Sequence, residues 1–331
     1  MKAKLYLHQE YAKGNTKLSL EDGFQFVLKE TPLSWNEDSP EHHHFNYRKW
    51  VYEEFEGANW DEMSILQLEE SQVFPGGNVM IKDGYGPLVE ALQSNLKIRT
   101  NSEVKKIEYS DNSATVTVLH HYGGGNSEYK VYTCNYVVFT ASLGVLKESL
   151  NLSKDIILEE IEKGLIKIEP SFPDWKKESL DCMTMGLMNK VIMQFDTKFW
   201  GQVSRIVYCG KEAGDFPWFD MQDGEVPVIL AWTACRYADK YEREMKNDND
   251  VIEHCMSIIR KAFPDAPNPC CSYVTRWRTN PLTRGAYSFL NTNATREKLQ
   301  KLNTPVNTIY FAGEAFAGPH IGCVHGKYNF N

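Results

Sequence analysis

Residues 307–331 read NTIYFAGEAFAGPHIGCVHGKYNFN. Thr308 to Phe311 form a β-branched and aromatic run, which predicts a strand. Gly313 at its carboxyl end lets the backbone approach a ligand closely, because no Cβ stands in the way. Glu314 then lies where open α/β sheets place ligands, outside the carboxyl ends of the strands. A carboxylate there suits a ribose or ribityl hydroxyl. A helix is expected to begin around GCVHGKY, and the sequence ends at Asn331 instead.

Upstream, KIRTNSEVKKIEYS, SATVTVLHHY and EYKVYTCNYVVFTA alternate apolar and polar positions and are rich in Val, Ile, Tyr and Thr. That period of two predicts strands, and YGGGNS (122–127) predicts a hairpin turn in which glycines supply positive φ. Residues 97–141 therefore read as a β-meander ending in YVVFTA. LMNKVIMQFDTKFW (187–200), VPVILAWTA (226–234), CSYVTRWR and GAYSFL read as further strands. Helices are expected over HHHFNYRKWVYEEFEG (42–57) and over GYGPLVEALQSNL (84–96), where Leu88, Val89 and Leu92 share a face. Another carries Val251, Ile252, Cys255, Ile258, Ile259 and Ala262 on one side and stops before Pro264. The stretch SLNLSKDIILEEIEKGLIKIEP reads as helical and charged, and residues 1 to about 40 as polar and weakly periodic. The mixture of interleaved helices and antiparallel strands is α+β.

The 331 residues are 42% hydrophobic and 24% charged, enough to bury a sizeable core. A net charge of -8, with no Lys/Arg run, argues against a nucleic-acid binder. The N-terminus lacks a signal-peptide apolar region, and no apolar run is long enough to span a membrane. Eight cysteines without C-x-x-C spacing read as reduced thiols, which points to the cytoplasm, with a peroxisome or nucleus as the alternatives. EHHHF (41–45) does not read as a metal site, since consecutive residues do not converge on one ion, and no metal is expected. Gly84-Tyr85-Gly86 lacks the preceding strand of a dinucleotide fingerprint.

Six blocks occur in order: FPGGNVMIKDGYGPLVEAL, IRTNSEVKKIEYS, VVFTASLGVLK, SFPDWKKESLDCMTMGLMNKVIMQFDTKFW, RWRTNPLTRGAYSF and IYFAGEA…GCVHG. Together, over roughly residues 45 to 328, they resemble the flavin-dependent amine oxidase family, most of all its polyamine oxidase branch. The resemblance implies non-covalent FAD, an amine substrate and O2. It implies an incomplete Rossmann-like FAD domain and a substrate domain with a mixed sheet. On that pattern, 1–96 holds substrate-domain helices and the start of an FAD-side segment, and 97–147 the FAD-domain meander. Residues 148–290 are mainly substrate domain, and 291–331 the closing FAD-side strand and loop.

Residue by residue, the resemblance implies that Val104 meets the adenine end of FAD through its backbone. Gly313 and Glu314 hold a cofactor hydroxyl, Val324 donates its N–H toward the flavin ring, and Trp277 packs near that ring. Lys190 resembles the lysine that holds a water against the flavin, a catalytic role. Tyr287 resembles the aromatic wall of the amine site, and Glu56 falls near a substrate-binding acid. Cys323 stands where several relatives carry an aromatic residue. The family's opening GxGxxG segment is not found in these residues, nor is a helix after HGKY. The implied activity is oxidation of a spermine or acetylpolyamine C–N bond. The alternatives are an inactive amine-oxidase-like chain and a flavin demethylase.

Overall fold

The computed structural model describes residues 2–30, 36–67, 81, 84–222 and 224–323. The polar stretch before residue 40 holds two helices, α1 (Lys2–Ala12) and α2 (Leu20–Glu30), a regularity its weak periodicity did not announce. They pack through stacked Tyr6 and Phe26 rings 4.0 Å apart. Ser19 and Asp22 cap α2 reciprocally, each side chain accepting from the other's backbone N–H. Helix α3 (Pro40–Glu56) starts at Ser39, whose hydroxyl accepts from His42 N, and ends at Gly57 in the left-handed region at φ 67°.

Helix α4 (Gly86–Gln93) forms as its spacing predicts, but its apolar side faces outward: Val89 is 54% exposed. Val89→Glu is therefore expected to change stability by no more than about 0.5 kcal/mol in a urea melt.

Strands β1 (Ser102–Tyr109), β2 (Ala114–His121) and β3 (Ser127–Cys134) form the expected antiparallel meander, with Gly124 and Gly125 at positive φ in its turn. The last strand, β4 (Val137–Phe139), leaves the meander. After α5 (Leu143–Ser149), β5 (Lys167–Glu169) joins β1 in parallel to give the order β3-β2-β1-β5.

The helix expected between 149 and 170 does not form; that segment holds one 3-10 turn, Leu158–Glu160, and β5. Its backbone is engaged by side chains from outside. Glu103 accepts from Gly164 N, Ser149 Oγ accepts from Ile166 N, and Lys105 Nζ donates to Ile161 O. Gly164 at φ 84° breaks any helical run, and Ile161, Leu165 and Ile168 are buried without one.

Beyond α6 (Asp174–Leu180) and β6 (Met183–Met185) come β7 (Met188–Gln194), β8 (Arg205–Val207), β9 (Trp218–Met221) and β10 (Val228–Ala234). Helices α7 (Cys235–Glu244) and α8 (Asp248–Ala262) then lead into β11 (Cys271–Val274). The five strands order as β11-β7-β10-β9-β8, all neighbours antiparallel. Side chains alternate across such a sheet. Val191, Met193, Phe219, Ile229 and Ala231 therefore form one core with Tyr237, Tyr241 and Val251, Ile252, Cys255, Ile258 and Ile259 of the expected α8 face, whereas Ala262 at the helix end is exposed. Lys190, Trp232 and Asp220 stand on the opposite face.

Three short elements follow, β12 (Ser288–Leu290), α9 (Arg296–Leu302) and β13 (Ile309–Phe311), and then two 3-10 turns, Glu314–Phe316 and Gly318–His320. β12 pairs with β6, and β13 pairs in parallel with β4, Tyr310 opposite Val138. Phe139, Ile309, Phe311 and Phe316 join Ile107, Leu143 and Phe172 in a second core. The closing strand thus ends over the N-terminus of α5.

Candidate active site

A cavity of about 690 Å³ opens where three segments meet: Thr140–Leu143 after β4, Leu282–Tyr287 before β12, and Ala312–Phe316 after β13. Backbone pairing holds the second segment, since Gly186 N donates to Tyr287 O at 2.7 Å and Ala286 N to Gly186 O at 2.9 Å. Arg284 sits behind it, with its guanidinium on Glu148 and Glu162, and Ser142 Oγ donates to Thr283 O.

Gly313, at φ 118°, adopts a conformation that side chains resist, and a Cβ there would reach only Thr140 O at 3.8 Å. The wall is bare backbone at this point. Glu314 follows it. Its Oε1 accepts from Ser288 N at 3.0 Å, Ser288 Oγ at 2.6 Å and Gly322 N at 2.7 Å. One carboxylate oxygen thereby ties β12 to the turn at Gly322 and Cys323.

Tyr287 is the hinge of the site. Its hydroxyl donates to Glu54 O at 2.6 Å, and its ring lies against Gly57. Burial, then the nearby charges of Glu54, Glu56 and Glu314, hold its phenol well above the ordinary value. Glu56 accepts from Gln67 Nε2 at 2.6 Å, and burial raises its carboxyl pKa. Cys323 is raised by burial and by the charges of Glu314 and Glu56. Four expected residues, Glu56, Tyr287, Gly313 and Glu314, are therefore neighbours.

Lys190 does not line this cavity. It lies on the face of the five-stranded sheet that α3 packs against, with Nζ 4.0 Å from the centre of the Trp232 ring, where cation and π face attract. Burial lowers its pKa, against the pull of the Glu54 and Asp220 charges. Glu54 links the two regions: its carbonyl holds Tyr287, and burial pushes its carboxyl up to about 7.

Trp277 is likewise outside the cavity lining, but its carbonyl accepts from Gly285 N and Thr283 Oγ1 and so braces the lining loop. Val104 lies on β1, at the bulge where pairing with β2 shifts between Val104 and Lys106. That bulge interrupts the ladder where a backbone contact to adenine is expected. Val324 lies outside the described residues. Glu54, Ser288 and Arg284 carry much of the geometry and were not singled out from sequence; Ser288, beside Tyr287 in GAYSF, and Glu54, two residues before Glu56, had neighbours that could have flagged them.

The profile of the family described as flavin containing amine oxidoreductase matches residues 10–329. The chain belongs to that family. It is 32% identical over 275 residues to Polyamine oxidase 4 of Oryza sativa subsp. japonica, covering 82% of this chain and 51% of that protein. It is 28% identical to the Possible lysine-specific histone demethylase 1 of Drosophila melanogaster, over 98% of this chain and 39% of that one. The chain thus spans about half the length, or less, of these relatives. Its fold matches a solved putrescine oxidase double mutant with a TM-score of 0.67 at 15% identity, over 96% of this chain and 66% of that one. Mixed α+β architecture is that of the amine oxidase fold.

The residues present fit part of the FAD that this family contains. A bare-backbone wall at Gly313, a carboxylate at Glu314 and an open cavity suit a ribityl chain and a flat ring. For the pyrophosphate, no strand, GxGxxG turn and helix occur together among the described residues.

Proposed function

We propose that this amine oxidase family chain carries FAD-dependent oxidation of a polyamine of spermine or acetylpolyamine type. One secondary C–N linkage, O2 and water would give an aldehyde, a shorter amine and H2O2. The observation that carries this reading is the convergence of Gly313, Glu314 and Tyr287 on one cavity, with the Glu56 charge beside Tyr287, in a chain of this family. Bound FAD would supply the two-electron acceptor for the C–H bond beside the amine nitrogen.

The chain's own residues have separable tasks. Glu314 accepts from a cofactor hydroxyl, and Val104, Val324 and Trp277 are proposed to complete the cofactor contacts. Tyr287 presents a desolvated aromatic surface to the amine's carbon stem, and Glu56 attracts a second, protonated nitrogen. Lys190 holds a water through its ammonium, a positioning task that burial beside Trp232 supports. Demethylation of a methyl-lysine peptide is the competing substrate class, as the name of the Drosophila relative indicates.

A second reading is supported by a different observation. The β4–β13 pair exposes Tyr136, Val138 and Tyr310 on its outer side, whereas parallel strands are usually covered on both faces. This favours a non-catalytic module of the same fold that associates through that face.

The visible absorbance spectrum after incubation with excess FAD and removal of free cofactor separates the readings. A retained, stoichiometric flavin band that bleaches with spermine supports the oxidase. A band that bleaches only with a methyl-lysine peptide shifts the substrate class. No band from a folded protein overturns the oxidase reading and leaves the second. Where flavin is retained, Glu314→Gln should weaken its binding about tenfold, the size of one charge-assisted hydrogen bond.

A further inference from the structure

Behind the sheet face that carries Lys190 lies a buried polar chain with no part in the tasks described so far. Glu242, on α7, is 1% exposed, and its carboxylate accepts from four neutral donors. Asn189 Nδ2 at 2.7 Å and Arg278 N at 3.1 Å reach one oxygen. Thr279 N and Thr279 Oγ1, both at 3.0 Å, reach the other. Asn189, itself fully buried, accepts through Oδ1 from Thr275 Oγ1 at 3.0 Å and from Trp277 N at 3.3 Å. Thr275 Oγ1 in turn accepts from Lys190 N at 2.8 Å. The preceding residue of α7, Tyr241, donates its hydroxyl to Thr275 O.

The donors come from two chain segments, β7 and the turn after β11, that no ladder bond joins beyond Val274 and Thr275. We propose that Glu242 is a positioning residue that holds Lys190 and Trp277 in a fixed mutual arrangement, acting through Asn189 and Thr275. A carboxylate suits this task because both oxygens only accept, so every group that meets it must point its hydrogen inward. Satisfied networks of this kind specify one geometry, and a single mismatched member loosens the whole. The functional meaning rests on the proposed role of Lys190, whereas the geometric claim does not.

The test reads Lys190 directly. Its ammonium lies over Trp232, so its titration perturbs tryptophan fluorescence, and the part of the signal lost in Lys190→Met is assigned to it. The groups facing Lys190 are Glu54, Asp220 and, beyond them, Arg205. Burial sets the wild-type midpoint below the ordinary lysine value. In Glu242→Gln the amide presents hydrogens to a donor, β7 loosens, and the midpoint should rise by half a unit or more. Amide exchange at Lys190 and Trp277 should quicken at least tenfold, while Ile107 and Thr117 in β1 and β2 keep their rates.

Combining Glu242→Gln with Asn189→Asp returns an acceptor to the link between 242 and 189, where the new amide can now donate, and should bring the midpoint back toward wild type. A residue that merely stabilised α7 would show no such return. An unmoved Lys190 midpoint in Glu242→Gln, or no rescue in the double variant, overturns the proposal. If Glu242→Gln does not fold, Thr275→Val breaks the same chain at its far end. It should raise the midpoint likewise, and an unmoved midpoint there overturns the proposal equally. Neither readout needs bound FAD or turnover, so failure of the oxidase reading is told apart from failure of this one.

Discussion

Raising the pH from 7 to 8.5 is expected to stabilise this protein by roughly 1.5 kcal/mol, and Lys176→Met to remove that gain. Lys176 is fully buried. Its ammonium donates to Thr304 O at 3.0 Å and to Leu302 O at the end of α9, and stands 3.6 Å from the centre of the Phe311 ring. Desolvation nonetheless lowers its pKa from 10.5 to about 7. The unfolded chain keeps its proton up to the ordinary value, while the native state releases it from about 7. Between those values the unfolded state binds more protons, so stability rises with pH, at most about 1.4 kcal/mol per unit. Below pH 7 both states are charged and the penalty is complete.

Glu54 has the opposite sign. Its folded value is raised from 4.5 to about 7, so its contribution is present at low pH and is lost as pH rises through that window. The two together predict a stability minimum near neutrality. Urea midpoints at pH 5, 7 and 8.5 measure it. Equal upper-limb slopes in wild type and Lys176→Met would show that Lys176 is not the titrating group.

Gly57→Ala should be more damaging, at about 2–5 kcal/mol. Gly57 closes α3 at φ 67°, where a Cβ costs on the order of 1–2 kcal/mol. That Cβ would also lie 2.7 Å from Tyr287 Cε2 and 2.9 Å from Cζ. The ring cannot swing away freely, because its hydroxyl is bonded to Glu54 O and its backbone to Gly186. Overpacking of this kind costs roughly 1–3 kcal/mol more. Chemical denaturation gives the magnitude, and a lowered Tyr287 pKa in a spectrophotometric titration would show the ring displaced toward water. A fully stable Gly57→Ala protein would mean that α3 and Tyr287 are not in contact in solution.

The parts of this molecule legible in its sequence are those set by local physics. Alternation in β1, β2, β7 and β10 shows which residues face a core, because successive side chains must point to opposite sides. The α8 face and its stop before Pro264 follow from helical spacing and the missing proline N–H. Gly313 and Glu314 drew notice through the order of the motifs around them, since a glycine and an acid after a strand are by themselves as common in an ordinary turn.

The rest depended on contacts between distant segments, which no local pattern encodes. The 149–170 stretch has helical composition, yet Glu103, Lys105 and Ser149 engage its backbone and exclude the helix. Leu88, Val89 and Leu92 form their helix without finding a core among the described residues. Lys190 and Tyr287 lie 97 positions apart in sequence. Both are tied to Glu54 at the C-terminus of α3, Tyr287 through its carbonyl and Lys190 through its charge. Periodicity alone marked most of the strands and helices, and the order of the motifs marked the resemblance from which the candidate amine-site residues come. Tertiary structure alone decided which of them meet, because the hydrogen bonds of Glu54, Glu242 and Glu314 join segments whose separation in sequence leaves no local trace.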